Sequence, residues 1–169
     1  MLILGIDPGA TGAAALIDAR SGAAVLVEDL DADPSVTVQR LDSILVSGGV
    51  EGPRNFFAIV ERAQSMPAER LDRKTGKVVR QGISSTATYM TGYGVLLGWL
   101  CARGIPYDTV HPSTWKCAMS LTKSKEETLA VARRLFPNIE LSRKKDHNRA
   151  EALLLAEWAR RKRFPRVNP

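Results

Sequence analysis

The sequence predicts an α/β domain built on a mixed five-stranded sheet flanked by helices. Residues 2–7, 13–18 and 23–28 are three short apolar runs joined by glycine-marked turns, the pattern of a β-meander. Residues 56–61 and 107–110 are two more apolar runs, and helical patterns separate them from each other and from the meander. A meander followed by strands alternating with helices gives a sheet with antiparallel and parallel parts. A doubly wound sheet would not begin with a meander.

Each element has a local reason. The first strand, LILGID, is apolar until it closes on Asp7, and Gly9 and Gly12 then turn the chain. Ser21-Gly22 marks the next turn. Val36, Val38, Leu41, Ile44 and Leu45 recur at roughly helical spacing over residues 34–46, and Gly48-Gly49 ends that helix. The strand FFAIVE closes on Glu61. Residues 62–82 are polar and irregular and predict a loop. Ser84 or Ser85 opens a long helix to about Ala102, with Gly104 as its stop. A helix is expected over residues 121–136, with Ser124 as a cap. The last helix opens at His147 or Asn148, with Ala150, Leu153, Leu154 and Trp158 facing inward. Residues 1–160 then form one domain, and 161–169 a basic, proline-containing tail.

Composition narrows the class. The chain has 169 residues and a formal net charge of +6, enough for one core and a surface suited to polyanions. Cys101 and Cys117 are too few and too isolated for a disulfide framework or a zinc site. They read as small core residues, which makes the cytoplasm the expected compartment. No apolar run is long enough to span a membrane, and Asp7 interrupts an N-terminus that lacks the basic start of a signal peptide.

The chemistry rests on carboxylates. Asp7 and Glu61 each end an apolar strand, so each is held near water on a rigid support. If those strands are neighbours, the acids share one crevice and raise each other's pKa. A divalent cation relieves that conflict, and Mg²⁺ takes oxygen ligands while keeping waters of its own. Glu151 lies among alanines and leucines on the last helix, with His147 one turn earlier on the same face. Taken singly, Asp7 and Glu61 read equally well as solvated strand ends, and Asp146 as a helix cap.

Three motifs carry a resemblance. Gly5-Ile6-Asp7-Pro8-Gly9-Ala10-Thr11-Gly12 resembles the opening strand of RuvC-type Holliday junction resolvases, in the RNase H-like superfamily. Ile59-Val60-Glu61 resembles their second acidic strand, and Asp146-His147-Asn148-Arg149-Ala150-Glu151-Ala152-Leu153 their last motif. The segment Val110-His111-Pro112-Ser113-Thr114-Trp115-Lys116 is also similar to segments of that group. The likeness runs from about Met1 to Trp158, and short phage, bacterial and organellar versions look most similar.

The resemblance implies an RNase H-like nuclease acting as a homodimer on a four-way DNA junction, nucleoid-associated or phage-encoded in a host cytoplasm. It implies two Mg²⁺ ions, or Mn²⁺ as substitute, with Asp7 bridging them and Glu61 and Glu151 each supporting one. For the fourth ligand Asp146, the harder donor, is favoured, with His147 as ligand or general acid/base. Lys144, Lys145 and Arg149 are candidates to neutralise phosphate charge. Arg70, Arg73, Lys74, Lys77 and Arg80, with Lys123 and Lys125, are candidates for DNA backbone contacts, and Met66 for a wedge between bases. The same opening motif is shared with actin-like ATPases and sugar kinases, but 169 residues cannot house their second lobe. Other branched DNA, RNA–DNA hybrids and a non-catalytic binding module are the remaining alternatives.

Overall fold

A computed structural model describes residues 1–9, 11–49, 52–63, 69–71, 76, 78–80, 82–122 and 124–164. Five strands form the main sheet: β1 (Leu2–Asp7), β2 (Ala13–Asp18), β3 (Ala24–Asp29), β4 (Phe56–Glu61) and, later in the chain, β7 (Tyr107–Val110). Their spatial order is β3-β2-β1-β4-β7. The first three pair antiparallel; β4 lies parallel to β1, and β7 parallel to β4. The mixed five-stranded sheet expected from the sequence is the one observed.

β1, β2 and β4 are buried along almost their whole length, which explains why their sequences are runs of apolar residues rather than alternations. Helices α1 (Pro34–Ser47) and α2 (Ile83–Ala102) cover one face, where Leu4, Ile6, Leu41, Ile44, Leu96 and Leu100 pack together. Helices α3 (Pro112–Ala118), α4 (Lys125–Leu135) and α5 (His147–Arg163) cover the other, over Ile3, Ile17, Ile59, Leu153 and Leu154. Each fully buried aliphatic side chain here contributes about 1.5–3 kcal/mol relative to exposure.

α5 is central because it lies directly on β1 and β2. Gly5 permits this. A Cβ at that position would stand 2.8 Å from the Cβ of Ala156 and would strike the carbonyl oxygen of Ala152. Any side chain there would lift α5, and Glu151 with it, off the sheet. Ser124 caps α4 by accepting from the Glu127 N–H, as its place in the sequence suggests.

The structure departs from the sequence reading at several points, among them the start of α2, where Gly82 and not a serine takes the cap position. Residues 69–71 and 78–80, expected in a loop, form a two-stranded antiparallel ribbon, β5 (Glu69–Leu71) and β6 (Val78–Arg80). Residues 112–118, given no element, form α3, because the His111 ring caps the turn by accepting from the Ser113 N–H and Pro112 suits the first helical position. Cys101 and Cys117 are exposed rather than core residues. Residues 161–163, assigned to the tail, continue α5, and Arg160 is buried against Glu157 by paired hydrogen bonds of 2.6 and 2.8 Å. Among the described residues no helix is long and apolar enough to cross a membrane.

Candidate active site

The register of the sheet builds the site. Ile6 stands opposite Val60 in the parallel β1–β4 pair, so Asp7 and Glu61 emerge side by side at the carboxyl ends of adjacent strands. α5 crosses the same end and brings Glu151 down onto them. Asp7, Glu61 and Glu151 each offer an oxygen, and the three oxygens lie within 4.8 Å of one another. Residues 54 and 90 positions apart in sequence thus converge on one point.

The electrostatics of the cluster are strained. Burial, followed by the charges of Glu151 and Glu61, pushes the Asp7 carboxyl well above its ordinary range. Burial also raises Glu61, against the Trp115 hydrogen bond and the charge of Lys116, which pull the other way. Two lysines moderate the repulsion. Lys116 Nζ lies 2.8 Å from Glu151 Oε2, and Lys116 and Lys125 both act favourably on Asp7. Tyr89 of α2 borders the site: burial, then the negative fields of Asp7 and Glu61, raises its phenol. Three hard oxygen donors at this spacing match the ligand set of a hard divalent cation such as Mg²⁺. A soft metal would want sulfur or nitrogen.

The other predicted residues are distributed unevenly. Asp146 does not join the cluster. Its carboxylate accepts from the Arg143 backbone N–H and side-chain Nε, both at 2.8 Å, and its side chain is 1% exposed. Burial works against its charge, and Arg143 outweighs burial, so its pKa sits below the ordinary value. The short 3₁₀ turn Lys144–Asp146 uses this acid as a cap, with its oxygens already filled. His147, one residue on, is partly buried, and its Nε2 is 3.0 Å from Lys125 Nζ. Arg149 pairs with Asp29 rather than projecting outward. Lys145 is exposed. Arg70 and Arg80 lie on β5 and β6, and Lys144 in the turn before α5. Met66, Arg73, Lys74, Lys77 and Lys123 lie outside the described residues.

Sequence reasoning missed Lys116 and the polar half of Trp115. Trp115 is a core residue with no exposed surface, and its indole N–H also donates to Glu61 Oε2 at 2.7 Å. The available signal was the His-Pro-Ser-Thr-Trp-Lys segment directly after a strand, at the edge where the acidic strands also end.

No family model matches the chain. In fold it matches Thermus thermophilus RuvC in complex with a Holliday junction substrate, with a TM-score of 0.65 over 98% of this chain and 96% of that one, at 19% identity. The chain has the RuvC fold. A second Thermus thermophilus RuvC structure matches at a TM-score of 0.61, and the fowlpox virus Holliday junction resolvase at 0.56 with 11% identity, covering 96% of this chain and 98% of the viral one. In sequence, 76 residues are 40% identical to the chloroplastic Holliday junction resolvase MOC1 of Chlamydomonas reinhardtii. That match spans 43% of this chain and 9% of the algal protein. The resemblance to RuvC-type resolvases read from three motifs is therefore borne out by the fold and by a relative of the same kind. On the RuvC fold, the three-carboxylate cluster lies where β1, β4 and α5 meet.

Proposed function

We propose that the chain is a metal-dependent endonuclease that resolves four-way DNA junctions by symmetric nicking. The observation that carries this reading is the convergence of Asp7, Glu61 and Glu151 on the RuvC fold. Asp7, Glu61 and Glu151 would hold the divalent ions, Mg²⁺ with Mn²⁺ as substitute, two per site as in the family it resembles. Bound there, they would supply positive charge to the scissile phosphate and lower the pKa of an attacking water. Asp7 would be a ligand held in common, since its carboxylate lies within 4.8 Å of both other acids. His147 would serve as a further ligand or as acid/base, because both oxygens of Asp146 are bonded by Arg143. Lys116 and Lys125 keep the carboxylates together without an ion and face the phosphate when one is bound.

DNA is held mainly through its backbone, which suits the +6 net charge and the basic stretch from Arg70 to Arg80. The working unit is a homodimer formed through the outer face of α2. There Ile83 is 89% exposed, Met90 and Val95 of the same helix are also exposed, and a Cβ built on Gly94 or Gly98 meets nothing. A two-fold pairing of that face would give two sites for two symmetric nicks. The chain through the end of α5 at Arg163 acts as one nuclease domain. The compartment read from the cysteines is the cytoplasm; the chloroplast naming of the algal relative extends this to any reducing, DNA-containing compartment.

A synthetic four-way junction with Mg²⁺, resolved on a denaturing gel, tests the proposal. Paired nicks at symmetric positions are expected, faster than on a flap or an RNA–DNA hybrid at equal salt. A junction left uncut with both Mg²⁺ and Mn²⁺ would end it.

A further inference from the structure

Two consecutive residues of α3 grip two different carboxylates of the cluster. Lys116 bonds Glu151 from α5, and Trp115 bonds Glu61 from β4. The tryptophan contact is the unusual one. An indole has one polar atom, a donor, and a buried indole N–H needs an acceptor. The acceptor here is not a backbone carbonyl but an oxygen of a proposed metal ligand, at 2.7 Å, with the ring fully enclosed by the core.

Building on the metal-dependent reading above, we propose that Trp115 is a positioning residue for Glu61. Its N–H holds Oε2 and so fixes the rotation of the carboxylate, leaving the other oxygen to the cation. Three features support a positioning role over simple packing. The ring cannot drift, because Trp115 is 0% exposed and α3 is anchored at its start by the His111 cap. A glutamate has one more rotatable bond than an aspartate, so Glu61 needs more orientation than Asp7 does. Lys116 stands over the Trp115 ring, 5.2 Å from its centre, so the clamp on Glu61 and the clamp on Glu151 share a support. Mg²⁺ demands near-ideal ligand geometry, and loss of an outer partner that orients a ligand typically costs about 10–100-fold in metal affinity or activity.

The test uses the full chain with Trp115→Phe. As a second variant, Trp115 is replaced site-specifically by 3-benzothienylalanine, which keeps the indole shape and has sulfur in place of N–H. Mn²⁺ binding is measured by calorimetry without DNA, and junction cleavage across a Mg²⁺ titration. Both variants are expected to bind Mn²⁺ at least about tenfold more weakly. Half-maximal cleavage should move to correspondingly higher Mg²⁺, and saturating metal should recover most of the rate. The benzothienyl protein should melt within a few degrees of wild type in EDTA. Unchanged Mn²⁺ affinity in that isosteric variant would overturn the proposal, even if Trp115→Phe unfolds. Glu61→Gln separates the two readings. If it too leaves Mn²⁺ affinity unchanged, the metal site itself is wrong; if it alone abolishes binding, the metal site stands and only the role of Trp115 falls.

Discussion

Two groups of acids flank the start of α5, and their surroundings are opposite. Asp29 and Asp146 face arginines: Arg149 and Arg143 bond Asp29, and Arg143 bonds Asp146. The Arg149 hydrogen bond leads in holding the Asp29 pKa below its ordinary value. Asp7, Glu61 and Glu151 face one another, moderated by lysines and an indole, and two of the three are pushed upward. A guanidinium is always charged and its fork fills carboxylate oxygens pairwise, so the first group is complete as it stands. A lysine ammonium is a compact point charge, and the second group remains short of positive charge. The first group fastens the entry of α5 to the edge of β3. The second has the oxygen donors and the unbalanced negative charge that the proposed cation would answer.

The largest expected effect separates the two groups directly. Asp7→Asn should lower Mg²⁺-dependent junction cleavage about 10³-fold or more, equivalent to about 4 kcal/mol of transition-state stabilisation. Binding of the uncut junction, followed by gel shift, should be kept. Wild-type cutting by this variant would dissolve the distinction. Next in size, Asp146→Ala should cost about 1–3 kcal/mol of stability in urea unfolding, because it strips charged hydrogen bonds from a buried cap. Its Mn²⁺ affinity should stay near wild type; weakened affinity with unchanged unfolding would return Asp146 to the metal ligands.

The pH dependence of stability should also split. The raised pKa values of Asp7 and Glu61 mean their contribution is full below the ordinary carboxylate range and is lost as pH rises through the raised values. Asp29 and Asp146, with lowered values, contribute above that range and lose it as pH falls through their folded pKa values. Thermal melts in EDTA should therefore show wild type losing ground to Asp7→Asn between mildly acidic and neutral pH. Added Mg²⁺ should close that gap, and a gap insensitive to metal would sink the electrostatic account. The smallest effect concerns which bases touch DNA. Neutralising Arg73, Lys74 and Lys77 together should reduce the salt slope of junction binding by about 1 for each phosphate that no longer has a cationic partner. Arg149→Gln should leave that slope unchanged, because Arg149 is already engaged by Asp29. The reverse result would show the paired arginines to be the groups that hold DNA.

Much of this site was legible because its carriers are local signals. Asp7 and Glu61 stand out as charges closing apolar strands, and Glu151 as a charge in an Ala-Leu helix. Asp146 ranks high by residue type alone, because a carboxylate is a harder donor than an imidazole for Mg²⁺. What decides its role is Arg143, three residues before it, whose backbone and side chain both bond it. Trp115 and Lys116 carried too little local pattern to stand out, since a short helix after a strand has no periodicity to read. The ribbon of β5 and β6 was hidden for a similar reason: strands of three residues among polar neighbours are held by pairing and leave almost no trace in hydrophobic order.

The sequence by itself determined the strands, the main helices, the mixed character of the sheet and the identity of three acids. Those follow from apolar spacing, turn residues and the cost of burying charge, all of which act over a few neighbouring positions. Only the tertiary structure decided which acids converge in one cluster and which are neutralised by arginine. It also decided that a core tryptophan turns its one polar atom toward Glu61. Such pairings depend on strand register and on how closely α5 approaches Gly5, and a carboxylate's charge state is set by whatever folding brings within a few ångströms of it.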